Sequence, residues 1–459
     1  MIPLVARPST LLPKLSELST MPFSKTRRTL GAIAFTALIS FPFAADAVEI
    51  QKVTSEGGIE ALLVEDHKNP LIAMDFAFKG AGSAQDPEGK AGLANLLSGL
   101  LDEGAGDIES TEFQEKLDDL GVSLSFDASR DDFTGSINAI TEFSDEAFDL
   151  AALALTDPRF DEEPVARIKG QIKTGITASE NDPGQLLSDA FGKTVFPGHP
   201  YSRRTEGTLE SLDEIGASDL DTFRAQKFAR DNLVVGVVGD ITPERLKTVL
   251  DRVFGDLPQT AVLAEVPDVE PKFGDRVEID LAVPQTLIQF TLPGMKRDDP
   301  QFFAAYLMNH ILGGGTFTSR LYEEIREKRG LAYGAGSWLA SYDHAALLGA
   351  STATRADAAE ESIGIIREEL NRMAEDGPSE AELAEAKTYV KGSYAVRNLD
   401  SSSAIAQTLV GIQLDDLGMD YIDTRKDEID AVTLDQVKEA ARSLLSVEPT
   451  VITVGPAGA

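Results

Sequence analysis

Arg326 and Tyr333, seven positions apart, are the residues in this sequence with most promise for chemistry. They lie in the run Asn309-His310-Ile-Leu-Gly313-Gly314-Gly315-Thr316-Phe317-Thr-Ser319-Arg320-Leu321-Tyr322-Glu-Glu-Ile325-Arg326-Glu-Lys-Arg329-Gly330-Leu331-Ala332-Tyr333. Spacing of four predicts that Phe317, Leu321 and Ile325 form the buried stripe of a helix, with Arg326 roughly 100° round from Ile325 and off that stripe. Gly330 can terminate the helix, and Tyr333 falls in the following strand between the small residues Ala332 and Gly334. Both side chains are hydrogen-bond donors. The blander reading is that the macrodipole favours an Arg in a last helical turn and packing favours a Tyr in a strand. Gly313, Gly314 and Gly315 lack the following Gly-Lys-Ser/Thr of a phosphate cradle. His310 reads as a packed histidine. His67, His199 and His344 have no second His at i+3 or i+4, so none is expected to ligate a metal.

A second stretch, Gly92-Leu-Ala-Asn-Leu-Leu-Ser-Gly-Leu-Leu-Asp-Glu-Gly104, places leucines at 93, 96, 97, 100 and 101. That spacing predicts a helix with one apolar face. Here the chain resembles the pitrilysin/insulinase family of zinc peptidases, in its small two-domain bacterial and mitochondrial-processing branch. In that family the equivalent helix carries the inverted motif His-x-x-Glu-His. Aligned on Gly92-Leu93-Ala94, the motif positions fall on Asn95, Ser98 and Gly99, and the family's third ligand, a Glu roughly 75 residues further on, falls near Gly175. Zinc needs nitrogen or anionic oxygen ligands and its water needs a carboxylate base, and these four residues supply neither. No Glu occurs between Ile168 and Ser179. The run containing Arg326 and Tyr333 is similar to the C-terminal-domain motif of the same family. The resemblance implies that Arg326 reaches toward a substrate backbone carbonyl and Tyr333 toward the oxygen that becomes negative, while Gly313 to Gly315 border the substrate cavity.

The elements that must position these residues repeat. Leu71 to Phe78 reads as a strand followed by a Gly-rich turn and a Leu-rich helix, and Leu287 to Leu292 opens the same series about 216 positions later. Each series continues with a helix ending at glycine (Gly121, Gly330), two strands, and two amphipathic helices, 145–155 and 164–177 in the first half, 357–374 and 379–394 in the second. Residues 232–239 form a buried strand before a helix capped by Thr242, and residues 450–454 echo that strand. The fold expected is α+β: two tandem homologous α/β sandwich domains, each a mixed sheet with helices on one face, whose other face is free to line a cavity; the resemblance implies that the two together make a half-clamshell. The expected boundaries are 48–255 for the first domain, 256–275 for a linker carrying Pro258, Pro267 and Pro271, and 276–459 for the second.

Composition narrows the functions further. The chain of 459 residues has 42 Lys+Arg against 76 Asp+Glu, a formal charge of −34, and no cysteine. That field argues against nucleic-acid binding and electrostatic membrane docking, and there can be no disulfide or thiolate nucleophile. Residues 25–28 precede the apolar run Leu30 to Phe43 and the small-x-small triplet Ala45-Asp46-Ala47, so residues 1–47 read as an export signal, with Met21 an alternative start. The run is broken by Pro42 and is too short to span a membrane. Residues 48–459 keep 37 basic against 74 acidic side chains, and a periplasmic or secreted location is expected. Together with the resemblance, this implies a zinc-less subunit that pairs with a zinc-bearing homologue, binds extended peptide, lends Arg326 and Tyr333 to the partner's site, and carries no cofactor itself. The alternative is a non-enzymatic scaffold or peptide-binding protein of the same fold.

Overall fold

The computed structural model describes residues 49–457, so the expected export signal lies outside the described residues. No described helix is long and apolar enough to cross a membrane. The first lobe contains the strands β1 (Gln51–Thr54), β2 (Glu60–Glu65), β3 (Leu71–Phe78), a two-residue ribbon of β4 (Gly104–Ala105) and β5 (Ile108–Glu109), then β6 (Ser123–Ala128), β7 (Phe133–Ile140) and β8 (Leu233–Gly239). Its helices are α1 (Leu93–Ser98), α2 (Ser110–Leu120), α3 (Ser144–Thr156), α4 (Glu162–Ser179), α5 (Pro183–Val195), α6 (Leu209–Asp213), α7 (Ala217–Lys227) and α8 (Pro243–Phe254). The second lobe contains β9 (Arg276–Asp280), β10 (Gln285–Pro293), β11 (Ala332–Tyr342), β12 (Ala345–Arg355) and β13 (Thr450–Gly455). Its helices are α9 (Phe302–Asn309), α10 (Arg320–Tyr322), α11 (Ala359–Asp376), α12 (Glu380–Asn398), α13 (Ser402–Leu414), α14 (Tyr421–Ala431) and α15 (Leu434–Leu445).

The two main sheets have the same plan. The first runs β1-β2-β8-β3-β7-β6 and the second β9-β13-β10-β12-β11 when read from the corresponding edge. In both, a central strand (β3, β10) is antiparallel to both neighbours, and the one parallel pair among the described strands of each sheet (β2 with β8, β9 with β13) lies on the same side. Alternation along β3 sets its faces: Ile72, Met74, Phe76 and Phe78 are buried in the helix-packed core, and Ala73, Asp75 and Ala77 turn the other way. Gly135 on β7 gives Phe76 its room, since a Cβ there would meet the ring at 2.3 Å. The second core repeats this with Ile288, Phe290 and Leu292 of β10 against α9, α11 and α15.

The expected free faces are not wholly free. Helix α13, from the second lobe, lies across the first sheet: Ala406, Leu409 and Ile412 pack on Leu62, Val64, Ala73 and Val238. Helix α5, from the first lobe, lies against the second sheet, where Phe191 and Val195 join Leu347 and Ala345. Each lobe thus covers part of the other's second face, because a strand face rich in Val, Leu and Ala buries apolar area against whatever helix reaches it. What stays open on the first sheet is the polar side of β6 and β7, with Ser123, Ser125 and Asp127 exposed. Residues 256–275 form no helix or strand but are pinned along their length, by Val262 to the Gln226 carbonyl, Val269 to that of His344 and Lys272 to that of Val195. The lobes also meet where Asp131 accepts from the Tyr201 hydroxyl and from the Asp343 amide at 3.2 Å.

Candidate functional site

In the first lobe α1 is shorter than the leucine spacing predicts. The helix ends at Ser98, and Leu100 and Leu101 continue as turn, still at 1 % and 0 % exposure. Its start is fixed by the Asp86 carboxylate, which accepts the Gly92 and Ala94 amides at 2.8 and 2.9 Å. Burial pushes that carboxyl up to about 6 against the pull of those amides. The Ser98 hydroxyl is turned back onto the Asn95 carbonyl at 2.8 Å. Gly99 faces α4, where a Cβ would meet the Ile168 methyl at 3.2 Å, and Ile168 and Ile172 of that helix pack against the core. Gly175 lies in the same helix, exposed, with nothing within 4 Å of its would-be Cβ. The space between α1 and α4 is therefore filled by aliphatic packing, and the nearby acid Glu103 is engaged with Arg167 at 2.5 Å. Among the described residues no group of three His, Asp or Glu side chains converges as a metal site. The residues at the zinc positions do not fit the ion.

In the second lobe the glycine stretch and the Arg326 helix are both wound wider than an α-helix. His310–Gly314 and Glu323–Glu327 are π-helical turns, with Gly315 bonding the His310 carbonyl at 2.8 Å and Lys328 that of Glu323 at 2.9 Å. Gly313 is buried against the edge strand β11, where a Cβ would meet the Ser337 amide at 2.4 Å, and a Cβ on Gly314 or Gly315 would press on Asn309 or His310. These glycines let the turn approach β11. His310 packs beside Tyr389, ring centroids 5.1 Å apart. Leu321 and Ile325 are fully buried as expected, but Phe317 is 75 % exposed. It lies in a separate short turn, Thr316–Thr318, so the four-residue spacing does not carry through it. Its ring stands edge-on to Tyr322 at 5.2 Å.

The helix end brings Arg326 and Tyr333 together. Gly330 takes φ 62°, and β11 begins with a bulge between Ala332 and Ala335 that leaves Tyr333 and Gly334 out of the ladder with β12. The Arg326 guanidinium lies 5.5 Å from the Tyr322 ring and 6.0 Å from the Tyr333 ring, and its Nη1 donates to the Tyr333 carbonyl at 2.5 Å. Tyr333 is 83 % exposed. The arrangement is a phenol donor presented on a bulge that an arginine holds in place. Arg320, in the same run, forks Glu382 at 2.7 and 2.9 Å and binds the helix α12 start, a structural role. One side chain escaped the sequence reading. Trp338 on β11, the chain's single tryptophan, lies across Gly349 and remains 41 % exposed. A lone Trp in a strand of small residues was the available signal.

Two family models match this sequence: one described as insulinase (peptidase family M16) over residues 68–209, and one described as the peptidase M16 inactive domain over residues 214–390. Among curated relatives, a non-peptidase homologue, YmxG, of Helicobacter pylori (strain ATCC 700392 / 26695) is 26% identical over 397 residues, 86% of this chain and 91% of the relative. An uncharacterized zinc protease of Streptomyces coelicolor is 25% identical over 414 residues, 89% of this chain and 90% of that protein. The crystal structure of a peptidase M16 inactive domain from Pseudomonas fluorescens superposes with a TM-score of 0.83 at 28% identity, covering 89% of this chain and 99% of the other.

Proposed function

The chain belongs to the insulinase (M16) peptidase family as an inactive, non-peptidase homologue, and from that premise we propose that it is the zinc-less subunit of an exported heterodimeric metallopeptidase. One observation carries the reading. The residues that the resemblance aligns with the zinc positions, Asn95, Ser98, Gly99 and Gly175, cannot ligate, yet Arg326 and Tyr333 are paired with a phenol offered to open space. A partner bearing the metal would supply the nucleophilic water, and this chain would supply the donor to the oxyanion and a surface for extended peptide. Its acidity favours basic peptides. The scaffold reading has one observation of its own, since the bond from Arg326 to the Tyr333 carbonyl also serves to hold the bulge. The deciding experiment is isolation of the chain from its native host with identification of any stoichiometric partner. A zinc-motif homologue supports the peptidase subunit, and recovery of the chain as a homodimer alone supports the scaffold.

A further inference from the structure

Arginines stay charged in proteins, so a buried guanidinium needs compensation. Two near the junction of the lobes have little. Arg425 on α14 is 5 % exposed. Its guanidinium lies 4.3 Å from the Tyr394 ring and 5.8 Å from that of Phe303, and its hydrogen bond is a long one, 3.5 Å to the Val390 carbonyl. No described carboxylate comes within 4.0 Å of it. Arg297, after β10, has a side chain 16 % exposed, and its Nη2 is buried without a hydrogen-bond partner. Its guanidinium is 5.3 Å from the same Phe303 ring and 5.1 Å from Tyr421, and its nearest acid, Asp415, is at the limit of contact, 4.0 Å.

In a chain carrying 76 acidic residues, buried Arg425 and half-buried Arg297 share the Phe303 ring, and among the described residues the acid in reach of either is Asp415, at the limit of contact with Arg297, so their positive charge is poorly compensated. The Tyr394 and Tyr421 hydroxyls beside them have no bond to any described residue. Burial raises the Tyr394 hydroxyl above the ordinary phenol range, against the pull of both guanidinium charges. Stacking on the rings explains how the flat faces of the guanidinium groups are buried, but leaves Arg297 Nη2 without a partner and Arg425 with one long bond.

We propose that Arg297 and Arg425, walled by Phe303, Tyr394 and Tyr421, form a binding site for an oxyanion group, a carboxylate or phosphate that takes up the unused guanidinium donors. The site is independent of the peptidase reading and of any partner subunit.

The test uses the purified full chain. Its thermal midpoint is followed as inorganic phosphate replaces chloride at constant ionic strength, and by the same method with a short peptide bearing a free C-terminal carboxylate or an amidated one. A saturable rise is expected, since a ligand bound only by the folded state stabilises it. Response to phosphate alone identifies a free oxyanion as the ligand, and response to the free-acid but not the amidated peptide identifies a peptide terminus. Arg425→Met and Arg297→Met, which keep packing volume, should each weaken the apparent affinity at least about tenfold, the loss of charge-assisted bonds. Arg425→Lys should weaken it less. No saturable rise in the natural chain with either phosphate or the free-acid peptide overturns the proposal, whatever the variants do. So does an unchanged response in both Met variants, which would mean the anion binds elsewhere.

Discussion

At the scale of single residues, the run around Arg326 was legible because the chemistry of its types is narrow: a buried aliphatic pair, a helix-ending glycine, an arginine and a tyrosine. What the sequence could not disclose is that Arg326 spends a donor on the Tyr333 backbone, which depends on a bulge in β11. That contact shapes the first prediction. In the complex reconstituted with a zinc-bearing partner, Tyr333→Phe should lower kcat by roughly 10²–10³ with KM little changed, because the hydroxyl acts only on charge that develops in the transition state. Arg326→Ala should lower kcat and also raise KM, since it frees the bulge and removes a group facing substrate. Steady-state kinetics on the two variants separates these effects, and full activity in both would leave the pair a structural remnant. Asn95, Ser98, Gly99 and Gly175 were equally legible, for an amide, a hydroxyl and two bare backbones cannot ligate zinc. The purified chain should hold no stoichiometric zinc after dialysis, as measured by elemental analysis. One tightly held zinc per chain would count against the reading.

At the scale of elements, the central strand of each half, the hairpin strands and the two amphipathic helices after it were readable from periodicity, whereas β1, β2, β9, α5 to α7 and α13 to α15 were not, and the strand order that the two sheets share is a finding of the structure. Nor was the exchange of α5 and α13 between lobes readable. An apolar stripe such as Ala406, Leu409 and Ile412 shows that a helix buries one face, but it does not show against which sheet. The exchange has a measurable consequence at Asp75, on the face of β3 that α13 crosses. Its Oδ2 is buried without a partner, and burial alone pushes the carboxyl up to about 6 from an ordinary 3.8. Because the folded value is the higher one, the folded chain binds more protons between about pH 4 and 6, and stability falls as pH rises through that window. The cost above pH 6 is at most about 3 kcal/mol. Asp75→Asn should therefore raise the urea midpoint at pH 8, by on the order of 1–2 kcal/mol of stability, and the gain should vanish near pH 4. A gain that is the same at both pH values would mean the carboxylate is not the source. Glu382 runs the other way. Burial would raise it, but the Arg320 fork and two bonds from Ser379 hold it at about 2, so its contribution is present above the ordinary 4.5 and lost as pH falls toward 2.

At the scale of the whole molecule, charge and covered surface decide what the chain can associate with. Residues 48–459 carry twice as many acidic as basic side chains, and two such chains repel one another unless a specific interface outweighs the repulsion. The sheet faces that remain open after α5 and α13 have docked are polar on β6 and β7, and on β11 carry Tyr333 and Trp338. A surface of that kind suits a second, related chain with an extended peptide held between the two, more than it suits a self-associating apolar patch. The expected outcome is that this chain and a zinc-motif homologue, co-expressed and exported together, elute as one species at micromolar concentration and cleave peptide in a chelator-sensitive way. Each chain alone should be inactive. Basic peptides should be preferred, and that preference should weaken as salt rises from roughly 0.05 to 0.5 M, over which the screening length shortens from about 14 to 4 Å. Separate elution of the two chains would sink the subunit reading, while joint elution with a salt-independent preference would keep the assembly and show that the acidity faces away from the peptide.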